Sequence, residues 1–263
     1  MAFRRLLASD IDGTLLVEKR PDPDAVDEFV AWRTTHPEVA LAYVTGRSQG
    51  RALEVIAEHG LPVPDALVTS VGTEIRWRRG ERWKPDDTWA QRLASTLGGR
   101  ELAHADAVVL EQSGTELQDD AEQSRFKRSY RRPAGPIDGD AVARRLSARG
   151  LPLNVIASVD PLDGAGLLDL LPRDTDKGHA VEHLRARLRL DHDAVAFCGD
   201  SGNDLAALLR PWWSIVVANA NPQVRARFAA GRDDDRRSVL GEGEVLHGVL
   251  DGLRAIGWHD ASA

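Results

Sequence analysis

Mainly apolar runs of strand length, alternating with helix-period segments near both ends of the chain, constrain this sequence most. Phe3 to Ser9, Val39 to Val44 and Ala66 to Val71 are such runs in the first part, and Ala194 to Cys198 and Ile215 to Ala218 in the last. Between them, Val26, Phe29 and Val30, then Leu53, Ile56 and Ala57, then Val181, Leu184 and Leu188, then Leu205, Leu208 and Leu209 repeat at helical spacing. A strand that is apolar on both faces is covered on both faces, which is the condition of a parallel sheet between helical layers. The expected fold is therefore α/β, with a Rossmann-like parallel sheet as its core.

The middle of the chain has another grammar. From about Arg79 to Pro172 it is more polar, with alternating stretches at Arg125 to Arg131 and Leu153 to Ser158 and a helical segment at Val142 to Leu146. This predicts a small α+β unit, residues 79–172, inserted into a core made of residues 1–78 and 173–263. Asp160 to Gly166 is rich in Pro and Gly and reads as a loop. Asp233 to Arg237 reads as a solvated turn.

Ligands of open parallel sheets bind beyond the carboxyl ends of the strands, so the polar residues just after each run are the ones to weigh. Asp10, Asp12 and Thr14 follow the first run, and Thr45, Gly46 and Arg47 the second. Lys177 and Gly178 stand at a late helix, and Asp200, Asn203 and Asp204 follow the late strand. Two carboxylates placed directly after a buried strand repel one another unless a cation joins them. A carboxylate set, a hydroxyl and an ammonium suit phosphoryl transfer, in which a phosphomonoester dianion repels an anionic nucleophile unless a hard divalent ion is bound. Mg²⁺, with oxygen ligands and retained waters, needs only two or three carboxylates. One carboxylate can attack phosphorus, and a second can serve as general acid and then base.

The net charge of −7 excludes a general nucleic-acid binder, while a local cluster can still attract an anionic substrate. No segment approaches the ~18 apolar residues of a membrane span. The apolar run near the first residue is broken by Asp10 and Asp12, unlike a signal core. With the single cysteine Cys198, which offers no internal disulfide, these features suggest a cytoplasmic protein, monomeric or dimeric. Cys198 lies in an expected core strand and reads as a packing residue. Pro211, Trp212 and Trp213 read as a helix end packed on the sheet in preference to a sugar platform. Lysine is scarce, only Lys19, Lys84, Lys127 and Lys177, which marks positions where a compact ammonium is needed.

The motif Asp10-x-Asp12-Gly-Thr14, with Thr45, Lys177 and Gly199-Asp200-Ser-Gly-Asn203-Asp204, resembles the four ordered motifs of haloacid-dehalogenase-like phosphatases. That resemblance implies Asp10 as nucleophile and Asp12 as general acid/base, with Thr45 binding phosphate. Lys177 would balance charge. Asp10, Asp200 and the backbone carbonyl of Asp12 would hold Mg²⁺, with Asn203 and Asp204 in support. An insert between Thr45 and Lys177 implies a cap of the second type in that superfamily. Tyr43 to Ser48, Val71 to Ile75, Phe126 to Tyr130 and Leu168 to Pro172 resemble sucrose-phosphate phosphatases. Asp160 to Gly164 and Ser124 to Lys127 are closer to kanosamine-phosphate phosphatases. Both imply a hexose 6-phosphate type of substrate, with Thr45, Gly46, Arg47, Glu74, Lys127, Ser129 and Asp169 as candidate substrate-binding residues. A sugar phosphomutase and a non-catalytic sugar-phosphate sensor are the alternatives; a sensor would usually lack the nucleophile or the lysine, and both are present.

Overall fold

The computed structural model describes residues 3–17, 22–99, 102–151, 153–160, 163–230 and 237–259. Lys19, Pro161, Leu162 and Asp233 to Arg236 lie outside the described residues. The first strand, β1 (Arg5–Ser9), is followed by α1 (Pro23–Thr35), β2 (Val39–Val44), α2 (Gln49–Glu58) and β3 (Ala66–Thr69). A hairpin, β4 (Glu74–Arg79) and β5 (Arg82–Pro85), leads into α3 (Asp87–Leu97). Then come α4 (Asp106–Leu110), β6 (Glu116–Leu117), β7 (Arg128–Arg132), α5 (Gly139–Ala148), β8 (Leu153–Val159) and β9 (Gly166–Pro172). The chain finishes with α6 (Lys177–Leu188), β10 (Val195–Gly199), α7 (Leu205–Leu208), β11 (Trp213–Val216), α8 (Pro222–Ala230), β12 (Ser238–Leu240) and α9 (Val245–Ala255).

Eight strands form one sheet in the order β12-β11-β10-β1-β2-β3-β4-β5, parallel from β12 to β3. Every residue of β2, β3 and β10 is buried, as their unbroken apolar composition requires. The chain steps from β1 to β2 on one side and later lays β10 on the other, so the strand order reverses at β1. The ends of β1 and β10 therefore flank the crevice in which such sheets bind ligands. Four strands form a separate antiparallel sheet, β6-β7-β9-β8, covered on one face by α4 and α5 through Val108, Val109, Tyr130, Val142, Leu146, Leu168 and Leu170.

Several details differ from the sequence reading. The run from Ala66 leaves the sheet at Thr69, because Ser70 and Val71 turn into the left-handed region (φ 52° and 58°) and Gly72 follows at φ 96°. A β-branched residue held there is strained. Its amide and that of Ser70 donate to the carbonyls of Thr45 and Arg47, which ties this turn to the loop after β2. A Cβ on Gly72 would lie 2.4 Å from the carbonyl oxygen of Asp176, so only glycine lets the turn pass under α6. Helix α1 buries Ala25, Val26, Phe29 and Trp32, while Val30 is exposed. Finally, β4 and β5 pair with the eight-stranded sheet, and Trp89, Leu93 and Leu97 of α3 join its core. Cys198 is fully buried, Trp212 packs in the core, and Trp213 lies in β11.

Candidate active site

Asp10 leaves β1 at its carboxyl end and is almost fully buried, its amide donating to the Cys198 carbonyl of β10. Lys177, the first residue of α6, is fully buried and reaches Asp10 Oδ2 at 2.9 Å and Asp204 Oδ1 at 2.8 Å. A buried ammonium between two carboxylates is the arrangement under which burying charge is tolerable. Burial works against the Lys177 charge, yet Asp10 and Asp204 hold its pKa above the ordinary lysine value. For Asp10 the balance goes the other way. Burial pushes its pKa well up, Lys177 opposes this, and Asp204, Asp200 and Asp12 add to it.

The loop after β10 is built around Asp204. Its Oδ2 accepts from the amides of Asp200 (3.1 Å) and Ser201 (3.0 Å) and from the Ser201 hydroxyl (3.2 Å), while Oδ1 takes Lys177. Both oxygens of Asp204 are therefore committed to holding the loop and the lysine. Asn203 accepts from Ser201 Oγ at 3.1 Å. Asp200 accepts from Thr14 Oγ1 at 2.9 Å and has its pKa pushed up to about 7, first by burial and then by Asp204. Gly13 lies against Asp200: a Cβ there would be 2.3 Å from its Oδ2, and φ is +79°. Asn219 donates to the Gly13 carbonyl at 2.7 Å and pins this turn. Thr14 and Asn219 are positioning groups to which the sequence reading assigned no role. Thr14 stood within the quoted motif, whereas Asn219 lies beyond it with no local signal.

Carboxylate oxygens of Asp10, Asp200 and Asp204 lie within 4.8 Å of one another. Hard oxygen donors crowded to the point that two of the carboxyls have raised pKa values fit a divalent cation of the Mg²⁺ type. With Asp204 engaged, Asp10 and Asp200 are the side chains left to hold it.

Asp12 is half-exposed and bound by Arg47 through two bonds, Nε to Oδ2 at 2.8 Å and NH2 to Oδ1 at 2.6 Å. Thr45 is fully buried; its Oγ1 accepts from the Arg47 amide at 3.1 Å, leaving its own proton to donate. Gly46 sits between them.

A second cluster lies in the antiparallel sheet. Ser129 of β7 is opposite Asp169 of β9 and donates to Asp169 Oδ1 at 2.5 Å. The buried Lys127 ammonium stands 3.8 Å from Asp169 and 3.7 Å from Glu122. Glu122 also pairs with Arg51 at the start of α2, and its charge acts on Arg47. The two clusters thus meet through Glu122, a residue that no local sequence signal marks. Glu74 is elsewhere engaged: it accepts from Thr69 Oγ1 at 3.3 Å and Arg76 at 2.6 Å, with no hydrogen bond or ion pair to either cluster among the described residues.

A parallel sheet with a buried aspartate–lysine–aspartate chain at its strand-order reversal, and an antiparallel unit inserted before that lysine, defines the haloacid-dehalogenase-like class. The comparisons narrow it. The profile of the sucrose-6F-phosphate phosphohydrolase family matches residues 3–257. A putative HAD-like hydrolase of Nitrosococcus oceani is 34% identical over 86% of this chain and 62% of its own length. Sucrose-phosphatase 1 of Nicotiana tabacum is 29% identical over 96% of this chain and 59% of its own. The chain thus spans about three-fifths of those two relatives. The sucrose-phosphatase of Synechocystis sp. PCC6803, solved with sucrose and phosphate, superposes with a TM-score of 0.83 at 26% identity, covering 97% of this chain and 98% of that one. This chain belongs to the sucrose-6F-phosphate phosphohydrolase family.

Proposed function

We propose that this chain is a Mg²⁺-dependent phosphatase that hydrolyses a sugar phosphate of the hexose 6-phosphate type through an aspartyl-phosphate on Asp10. The observation that carries this reading is the contact of Asp10 with a fully buried lysine, beside Asp200, at the crevice between β1 and β10. Bound between Asp10 and Asp200, Mg²⁺ would offset the charge that otherwise keeps a dianion from a carboxylate.

Asp10 attacks phosphorus, and the bond from phosphorus to the sugar oxygen breaks. Lys177 holds the Asp10 carboxylate in place and favours its ionised form. Thr45 Oγ1 and the amides near Gly46 are donors for phosphoryl oxygens. The leaving sugar oxygen takes a proton from Asp12. Asp12 then takes a proton from water, which attacks phosphorus, frees Asp10 and yields inorganic phosphate. Both oxygens of Asp12 accept from Arg47, so passing a proton to the leaving oxygen requires that pair to open. A phosphate dianion competing for Arg47 supplies the reason.

The antiparallel unit is proposed to be the cap, with Lys127, Ser129 and Asp169 facing the sugar. Its Phe126 packs into the main core, and Asn154 of β8 donates to the Thr175 carbonyl at 2.8 Å, so it sits directly on the lysine loop. Sucrose 6F-phosphate heads the substrate candidates by family, with amino-hexose and other disaccharide phosphates beside it. Phosphate release should be measured across a panel of sugar phosphates with Mg²⁺ and again in excess EDTA. Release from one panel member that EDTA abolishes is expected; full turnover in EDTA after dialysis sinks the metal requirement, and phosphate returned to the sugar favours a mutase. Ca²⁺ should support little turnover, because its larger shell would take up further oxygens, those of Asp10 among them, and so withhold Asp10 from attack.

A further inference from the structure

We infer that Glu122 is a positioning residue: by pairing with Arg51 of the core it sets Lys127 midway between two carboxylates and holds the cap over the site. The inference rests on the proposed sugar-binding role of Lys127. Its basis is geometric. The backbone of Glu122 is fixed beside β7 through its neighbour Gln123, which accepts from the Ser129 amide at 2.8 Å and donates to the Ser129 carbonyl at 3.0 Å, and the Glu122 carbonyl lies 3.2 Å from Ser129 Oγ. Its side chain then spans two units, with Oε1 on Arg51 and Oε2 3.7 Å from Lys127 Nζ.

Those distances matter. At 3.7 and 3.8 Å from Glu122 and Asp169, the ammonium is beyond hydrogen-bond reach of both. Its donors are thereby held for hydroxyls of a ligand, in a side chain only 5% exposed. Arg51 restrains Glu122 from one side, and the Ser129 hydroxyl occupies Asp169 from the other. Remove the Glu122 charge, and Lys127 is drawn onto Asp169. Remove the Arg51 charge, and Glu122 is free to close on Lys127. Either way the ammonium is consumed by a carboxylate of the protein, and the cap loses an ion pair to the core.

Two substitutions that change charge in opposite senses should therefore act in the same direction. A simple field effect on a phosphate dianion would not do this: Glu122→Gln would strengthen anion binding, and Arg51→Gln would weaken it. The test compares kcat/KM for sucrose 6F-phosphate with that for p-nitrophenyl phosphate, in the full chain with Mg²⁺. Both variants should lower the ratio at least fivefold, mainly through KM for the sugar phosphate, and Arg51→Lys should stay within twofold of wild type. A second arm needs no turnover. Spin labels at Glu58→Cys on α2 and Ala148→Cys on α5 report the distance from core to cap, Cys198 being fully buried. Glu122→Gln and Arg51→Gln should both broaden that distribution to longer distances. Opposite shifts in the kinetic ratio, no shift, or unchanged distance distributions each overturn the inference. A wild type that leaves sucrose 6F-phosphate intact rejects that sugar as substrate, and the distance arm then decides alone.

Discussion

Asp10 makes the sharpest demand on a single residue. It is buried against three other carboxylates and one ammonium, so its carboxylate form exists only with positive charge beside it. Asp10→Asn keeps the size and the hydrogen bond to the Ile11 amide, now 2.8 Å from Oδ1, and removes the oxyanion proposed to attack phosphorus. We expect turnover to fall by about three orders of magnitude or more, some 4 kcal/mol of transition-state stabilisation, while far-ultraviolet dichroism and sugar-phosphate binding are retained. Turnover within tenfold of wild type, with deamidation excluded by mass, refutes the nucleophile assignment. Asp204 makes a different demand, because its oxygens already hold Lys177 and the Asp200 loop. Asp200 and Asp204 are the same residue type four positions apart, and their hydrogen bonds set a candidate metal ligand apart from a structural support.

Among the elements, α3 is tied to the core by one carboxylate. Asp86 caps it by accepting from the Trp89 amide at 3.0 Å, and its other oxygen takes the Trp77 indole at 2.9 Å and His183 at 3.1 Å. Burial raises its pKa, but these bonds outweigh that and hold it below the usual carboxylate value. Asp86→Ala removes the cap, worth about 1 kcal/mol, and leaves the partly buried Trp77 indole N–H unpaired, a further ~1–2 kcal/mol. Thermal unfolding at pH 7 should register a loss of about 2–3 kcal/mol. The sign of the pH dependence follows from a depressed carboxylate. Its contribution is present above the unfolded value of 3.8 and is lost as pH falls through the lower folded one. The gap between wild type and Asp86→Ala should thus narrow below about pH 4; a gap that widens on acidification contradicts this account.

For the whole molecule, the division of labour between the two sheets is the testable point. Asp10, Asp12, Thr45, Lys177 and Asp200 all belong to the eight-stranded sheet's side, and Lys127, Ser129 and Asp169 to the four-stranded one. In the proposed cap role, closing the second over the first would exclude water and leave any unmatched sugar hydroxyl opposite buried polar groups. Lys127→Ala or Asp169→Ala should lower kcat/KM for the cognate sugar phosphate by roughly tenfold or more, about 1.4 kcal/mol. Hydrolysis of p-nitrophenyl phosphate, which carries no sugar hydroxyls, should fall much less. Equal losses on both substrates would assign these residues to the fold or to phosphate binding. Among the described residues no helix is long and apolar enough to cross a membrane.

Runs of apolar residues and the polar residues that end them are local, and they were enough to state the parallel sheet, the antiparallel insert and the clusters after β1, β2 and β10. Burial on both faces forces such strands to be continuous, so their ends are marked in the chain itself. Pairings between distant residues leave no such mark. Thr14 meets Asp200 across 186 positions, Gly13 meets Asn219 across 206, and Arg51 meets Glu122 across 71. The left-handed Ser70 and Val71 are likewise held by the loop after β2, against their own conformational preference. The allegiance of β4, β5 and α3 was set by edge pairing and by Trp89, Leu93 and Leu97 reaching the main core. Which carboxylate is free, which arginine is clamped and which glutamate joins the two sheets depend on where topology brings chain ends of polar side chains together, and that is decided only by the tertiary structure.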